Sequence, residues 1–184
     1  MATVFFTDMK ADFGNSMEAK FRKLLKKTGF FDTIGEGELV ALKVHVGERE
    51  NLGYINPNYA RIAAEEVKAR GGKPYLTDTN TLYSGGRHNG VEHMLTAVQH
   101  GFTYATVGAP FIPADGVRGL DYTEVDVPGK RFEKVKLAGG VVQADKIIFL
   151  SHFKGHLEAG FGGAIKNLSM GCASVAGKRD QHAD

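Results

Sequence analysis

The feature that most constrains the fold is an alternation of two kinds of segment. Short runs of apolar and β-forming residues, "ELVALKVH" (38–45), "KPYLTD" (73–78) and "KIIFLSH" (146–152), are interleaved with stretches whose apolar residues repeat at helical spacing. "PFIPAD" (110–115) is a fourth run of the same kind. Strands separated by helices are joined by crossovers, and crossovers give parallel neighbours with helices on the faces of the sheet. The fold class expected is therefore α/β, a mainly parallel twisted sheet flanked by helices.

Three helices have readable ends. In the first, Met17, Phe21, Leu24, Leu25 and Thr28 share a face, Ser16 is placed to cap and Gly29 to terminate. The second runs from Pro57 to about Arg70, with Asn56 as cap, Pro57 in the first turn and Gly71 at the exit. The third spans Asn89 to His100, and its apolar stripe of Val91, Met94, Leu95 and Val98 is expected to lie on the sheet. Near 120–137, "GLDYTEVDVPGKRFEKVKLAGG" alternates polar and apolar residues around "PGK" and reads as an antiparallel hairpin insertion with one wet face. The last eight residues, "GKRDQHAD", show no cap, strand or helix, as in a fragment of a longer chain.

At 184 residues the chain is long enough for one well-buried core and short for two. A net charge of +2 gives no concentrated basic surface, so neither nucleic acid nor an anionic membrane is an expected partner. Lys20, Arg22, Lys23, Lys26 and Lys27 need only a solvated helix face. No apolar run approaches the roughly 18 residues of a membrane span, and "MATVFFTDMK" lacks a basic segment ahead of its apolar run, so the cytoplasm is the compartment expected. One cysteine, Cys172, forms no intramolecular disulfide and cannot by itself hold an iron–sulfur cluster; a small buried packing residue is its expected role.

Each of the four strand-like runs ends on an ionisable side chain: His45, Asp78, Asp115 and His152. Ligands of open parallel sheets bind outside the carboxyl ends of the strands, so these residues are expected to border one crevice, with His45, His152 and Asp78 as candidate catalytic groups. The loop "TDTNTLYSGGRHNG" after Asp78 brings Asn80 and Arg87 over it. Arg87 either clamps a carboxylate or phosphate or closes its loop through an ion pair with an aspartate. "GFGGAIKN" sets Gly160, Gly162 and Gly163 ahead of a helical turn, where their backbone N–H groups and Lys166 are candidates to cradle an anion; it does not match a Walker A loop. His152 and His156, with His45 as a third, are candidate ligands for a divalent metal, the alternatives being hydrogen-bonded structural histidines or an anion-binding imidazolium. His93 falls off the apolar stripe of its helix and is expected at the surface or facing a loop.

"KVHVGE", "YINP", "GGKPYLTDTNTLYSGGR", "TAVQHGF", "GAPFIPADG" and "SHFKGHLEAGFGGAIKNLSMGCASVAGK" together resemble the blocks of the family described as domain of unknown function 362, from about residue 40 to the end. The resemblance implies an association with iron–sulfur proteins, because many members continue into a ferredoxin-like module whose cluster motifs do not occur in these 184 residues. A slighter likeness, His156 followed by "AGFGGAIK", is to the glycine–lysine element of nickel-pincer lactate racemases, and implies a cofactor-anchoring part for Lys166; this chain departs from it at "KNLSMG". Two functions are then in view. One is the binding of a small anionic substrate or cofactor at the strand ends, linked to redox chemistry through a ferredoxin-like module. The other is a non-catalytic domain that docks an iron–sulfur redox partner.

Overall fold

The computed structural model describes residues 3–157 and 159–183. Its centre is a four-stranded, wholly parallel sheet built from β1 (Leu39–Val44), β2 (Lys73–Asp78), β3 (Phe111–Pro113) and β6 (Lys146–Leu150), in the order β3-β2-β1-β6. The α/β expectation holds, and all four strands fall inside the runs read from the sequence. The hairpin does as well: β4 (Tyr122–Asp126) pairs antiparallel with β5 (Lys134–Ala138).

The helices form where their caps predict. In α1 (Met17–Thr28) the Ser16 side chain accepts from the Ala19 N–H, and Gly29 leaves the helix at φ +68°, a conformation glycine reaches without strain. In α2 (Pro57–Lys68) Asn56 caps and Pro57 opens the first turn. In α3 (Gly90–Gln99) Asn89 accepts from the Val91 and Glu92 N–H groups.

Strand alternation divides the interior into two layers. Val40, Leu42 and Val44 of β1 join Leu76, Phe111 and the buried face of α2 in the larger core. On the opposite face of the sheet, a thinner layer of Ala114, Ala138, Val141 and Cys172 packs with Leu137, Ile147 and Phe149. Cys172 is thus the buried packing residue expected of it.

Three expectations are corrected. The stripe Val91, Met94, Leu95 and Val98 does not lie on the sheet; these side chains are 43–59% exposed, while Gly90, His93, Thr96 and Ala97 face inward. The inner face is polar because it binds polar groups: Thr96 donates to the Gly86 carbonyl, and the His93 ring approaches Asn80 and Asp78. His93 is therefore fully buried, not at the surface. The C-terminal residues also have their own structure, α7 (Val175–His182), whose cap Ser174 accepts from the Gly177 N–H. Its glycine and charges hid the helical pattern.

Between β6 and α7 lie the small hairpin β7 (Lys154–His156) with β8 (Gly160–Gly162), and the five-residue helix α6 (Ala164–Leu168). Two further one-turn helices, α4 (Tyr104–Val107) and α5 (Gly139–Val142), and a short 3-10 helix over Phe30–Thr33 are also present.

Candidate functional site

The strand order places the topological switch point between β1 and β6, because the chain moves outward through β2 and β3 and then returns to the other side of β1. Lys43, on the Ala41 face of β1 and 1% exposed, sits beside that point. Its Nζ donates to Asp78 Oδ1 at 2.8 Å, Asn167 Oδ1 at 2.7 Å and the Val44 carbonyl at 3.3 Å. All three ammonium protons are then used.

Asp78, the last residue of β2 and likewise buried, is the hub. Oδ1 also accepts from the Thr79 N–H at 2.9 Å, and Oδ2 faces Arg87 Nη1 at 3.3 Å and His93 Nε2 at 3.5 Å. Burial alone would raise its pKa, but Lys43, His93 and Arg87 outweigh this and hold the carboxyl well below the usual aspartate range. It remains an anion.

Arg87 is 4% exposed. Its Nη2 donates to Glu48 Oε1 and, at 2.9 Å, to Tyr83 Oη, which itself donates to Glu48 Oε1 at 2.6 Å. Burial opposes ionisation of Glu48, yet the guanidinium lowers its pKa; burial pushes the Tyr83 phenol up to about 12. Arg87 Nε is buried without an acceptor among the described residues.

His45 follows β1 directly and is half-buried. Its Nδ1 accepts from the Gly47 N–H at 3.0 Å, so the proton of the neutral ring must sit on Nε2. That atom lies 3.3 Å from Arg87 Nη2, whose two hydrogens are already taken by Glu48 and Tyr83. Two donors face each other, and His45 Nε2–H is left without an acceptor among the described residues. Burial, reinforced by the Arg87 charge, pushes the His45 pKa down to about 4, so the ring is neutral at pH 7.

A second layer fixes these groups. Asn80 donates its N–H and Nδ2–H to Asp115 Oδ1 at 3.0 and 2.9 Å, and Nδ2–H also to the Gly116 carbonyl, which turns Asn80 Oδ1 toward His93 Nδ1 at 3.2 Å. Asp115 Oδ2 accepts the Val175 N–H at 3.1 Å, and burial raises its pKa. Lys178 of α7 donates to Thr79 Oγ1 and to the Ala173 carbonyl at 2.7 Å; burial pushes its pKa down to about 8.

The glycine segment adopts a form the sequence did not suggest. Gly160 and Gly162 lie in β8, opposite His156 and Lys154, and Gly163 precedes α6. Lys166 of α6 pairs with His156 Nε2, and His156 Nδ1 accepts from the Ala159 N–H at 3.2 Å. The next residue, Asn167, reaches Lys43 and also donates to Ser151 Oγ at 3.0 Å, so α6 links the Lys166–His156 pair to the rim. His152 is half-buried, and its Nδ1 is buried without a hydrogen-bond partner among the described residues.

The structure thus brings His45, Asp78, Asn80 and Arg87 into one bonded cluster and ties α6, the helix that carries Lys166, to it through Asn167; Lys166 and His156 bond each other. Between the two readings of Arg87, the ion pair with an aspartate is observed, in buried form. Among the described residues no group of three or more His, Cys, Asp or Glu side chains is arranged to hold a metal; His45 faces Arg87 and His156 faces Lys166. Two surface clefts flank α1, one lined by Phe6, Lys20 and Lys27, the other by Glu18, Asn58 and Tyr59. Neither includes a rim residue. Sequence reasoning missed Lys43, Asn167, His93 and Lys178. For Lys43 a signal existed, a lone cation inside "LVALKV".

Residues 40–184 match the model of the family described as domain of unknown function (DUF362). The chain belongs to that family. The matched region contains every residue of the rim cluster, while α1 lies outside it. No curated protein and no solved structure matches the chain. No helix among the described residues is long and apolar enough to cross a membrane.

Proposed function

We propose that this DUF362 domain binds a small ligand through an anionic oxygen at the β1–β6 rim, with His45 Nε2–H and Arg87 Nε–H as the recognising donors. One observation carries the reading: a neutral imidazole is fixed by Gly47 in the tautomer that presents Nε2–H, and the hydrogen-bonding group that faces it among the described residues is a spent donor, Arg87 Nη2. A donor left without an acceptor in a half-buried site costs free energy that an incoming oxygen recovers. Arg87 Nε, also without an acceptor, points to the same need.

Asp78 and Lys43 act on this reading as a buried counter-ion pair that sets the position of Arg87, and His45 orients the ligand as a donor. On the same reading Lys166, one residue from Asn167, adds charge at the edge. An electron-carrying partner, attached or separate, would have to approach this rim to reach a ligand held there.

The test is a thermal-shift panel of small carboxylates and phosphates on the full chain. A ligand at ten times its Kd stabilises by about 1.4 kcal/mol, a rise of roughly 3–5 °C for a domain of this size. His45→Phe should abolish the rise. A rise that survives this substitution, or a panel without any rise, contradicts the assignment.

A further inference from the structure

We propose that His100 is a positioning residue for the rim: through the Val46–Gly47 peptide it sets His45 as a hydrogen-bond donor. The inference rests on the reading above, in which His45 Nε2–H meets the ligand, and concerns what keeps that hydrogen in place. The two ends of one peptide unit carry it. The Val46 carbonyl accepts from His100 Nδ1 at 2.6 Å, and the Gly47 N–H of the same unit donates to His45 Nδ1 at 3.0 Å. A carbonyl only accepts, so His100 bears a proton on Nδ1. Hydrogen bonds in series polarise one another, so a donor on the carbonyl strengthens the N–H that holds His45.

The backbone by itself leaves this peptide free to turn over. Gly47 stands at φ +90°, and glycine takes the mirror value as readily, with no Cβ to oppose the change. Turned by half a rotation, the peptide would aim the Val46 carbonyl at His45 Nδ1. The ring would then carry its proton on Nδ1, and Nε2, 3.3 Å from Arg87 Nη2, would become an acceptor. The donor for an anionic oxygen would be lost.

His100 opposes that rotation and is itself held. Its ring stacks on Tyr54, with centroids 4.3 Å apart and planes 9° from parallel, and Tyr54 in turn meets buried Phe102 at 6.1 Å. The clamp closes directly over the peptide: a Cβ at Gly47 would lie 2.7 Å from Tyr54 Cδ1 and 3.0 Å from His100 Nδ1. The His100 backbone N–H bonds the Thr96 carbonyl at 3.1 Å where α3 ends, which fixes the base of the side chain. His93, Thr96 and His100, at i, i+3 and i+7, thus form one polar face of α3, and each bonds a group of the rim or of the loops that carry it. The inward turn of that face follows from what it holds.

Histidine side-chain ¹⁵N spectra and amide hydrogen exchange of the full chain, with no ligand added, test this. His100→Phe keeps a ring against Tyr54 and removes the Nδ1 donor. It should lower the His45 ratio of Nε2–H to Nδ1–H about five-fold and speed exchange of the Gly47 amide by a similar factor, the size expected for one hydrogen bond. His100→Asn, whose Nδ2 takes the place of the ring Nδ1, should restore both. The Leu76 amide of β2, bonded to the Pro110 carbonyl at 2.8 Å, should exchange at one rate in all three proteins, whereas a merely structural loss would speed it too. An unchanged His45 tautomer and Gly47 rate in His100→Phe would overturn the proposal. So would an Asn variant that matches Phe, or a loss shared equally by Leu76. A panel of anions without effect would sink the ligand reading and leave this result standing, because no ligand takes part in it.

Discussion

Replacing Lys43 by methionine isolates the buried network beneath the rim. The substitution keeps the length of the stem and removes only the ammonium, which serves Asp78 Oδ1, Asn167 Oδ1 and the Val44 carbonyl. Asp78 keeps Arg87 and the Thr79 N–H but loses its closest cation in a fully buried position, and Asn167 Oδ1 loses its donor. Removing one member of a buried ion pair typically costs about 3–5 kcal/mol, and the orphaned amide oxygen lies within that figure. Urea unfolding at pH 7, read as the change in midpoint times the slope, measures it. Adding Asp78→Asn should recover at least about 1 kcal/mol relative to the sum of the single variants, because the two groups share one bond. As a contrast, Arg61→Ala removes the more exposed pairs with Glu18 and Glu65 and should cost only about 0–1 kcal/mol. A loss under about 1 kcal/mol for Lys43→Met would refute the reasoning that the cluster is a single buried network.

The pH dependence of stability follows from His45. Its folded pKa of about 4 is depressed from 6.5, so the unfolded chain binds the extra proton between those values; the contribution is fully present above pH 6.5 and is lost as pH falls toward 4. The loss is bounded by about 3 kcal/mol, and the urea profile of His45→Gln should be flatter over that window. Cys172 is buried and its thiol pKa raised by burial, so iodoacetamide at pH 7.5 should modify it only in the unfolded chain; rapid labelling of native protein would contradict its packing role. Cations beside His45 and His156 disfavour a dication there, so elemental analysis of protein purified without chelator should find less than stoichiometric metal. A full equivalent of zinc or nickel, lost in His156→Ala, would restore the metal reading.

How much of this was legible in the sequence differs by level. The sheet was, because β-branched runs and helix caps are local signals: Ser16, Asn56 and Asn89 each cap where they were read. The rim was legible in part, since His45, Asp78 and Asp115 mark strand ends. Lys43 was not foreseen because it lies one residue inside a strand, where side chains are expected to be apolar, and only the layer behind it shows which groups can pair with it. Asn167 lies 124 positions from Lys43 and Lys178 lies 99 from Thr79, and no local pattern reports such contacts. α3 misled for a physical reason: periodicity reveals that a helix has two faces, and the inward one is decided by what waits there. In this chain that is Asp78 and Asn80, and polar His93 was drawn inside.

The most direct measurement is the long-range ¹H–¹⁵N spectrum of the histidine side chains at pH 7, with His45 assigned by substitution. His45 should appear as the neutral Nε2–H tautomer, and titration with the anion that gives the largest thermal shift should move its Nε2 resonance. An imidazolium, an Nδ1–H ring, or a resonance that stays in place throughout the titration would contradict the site.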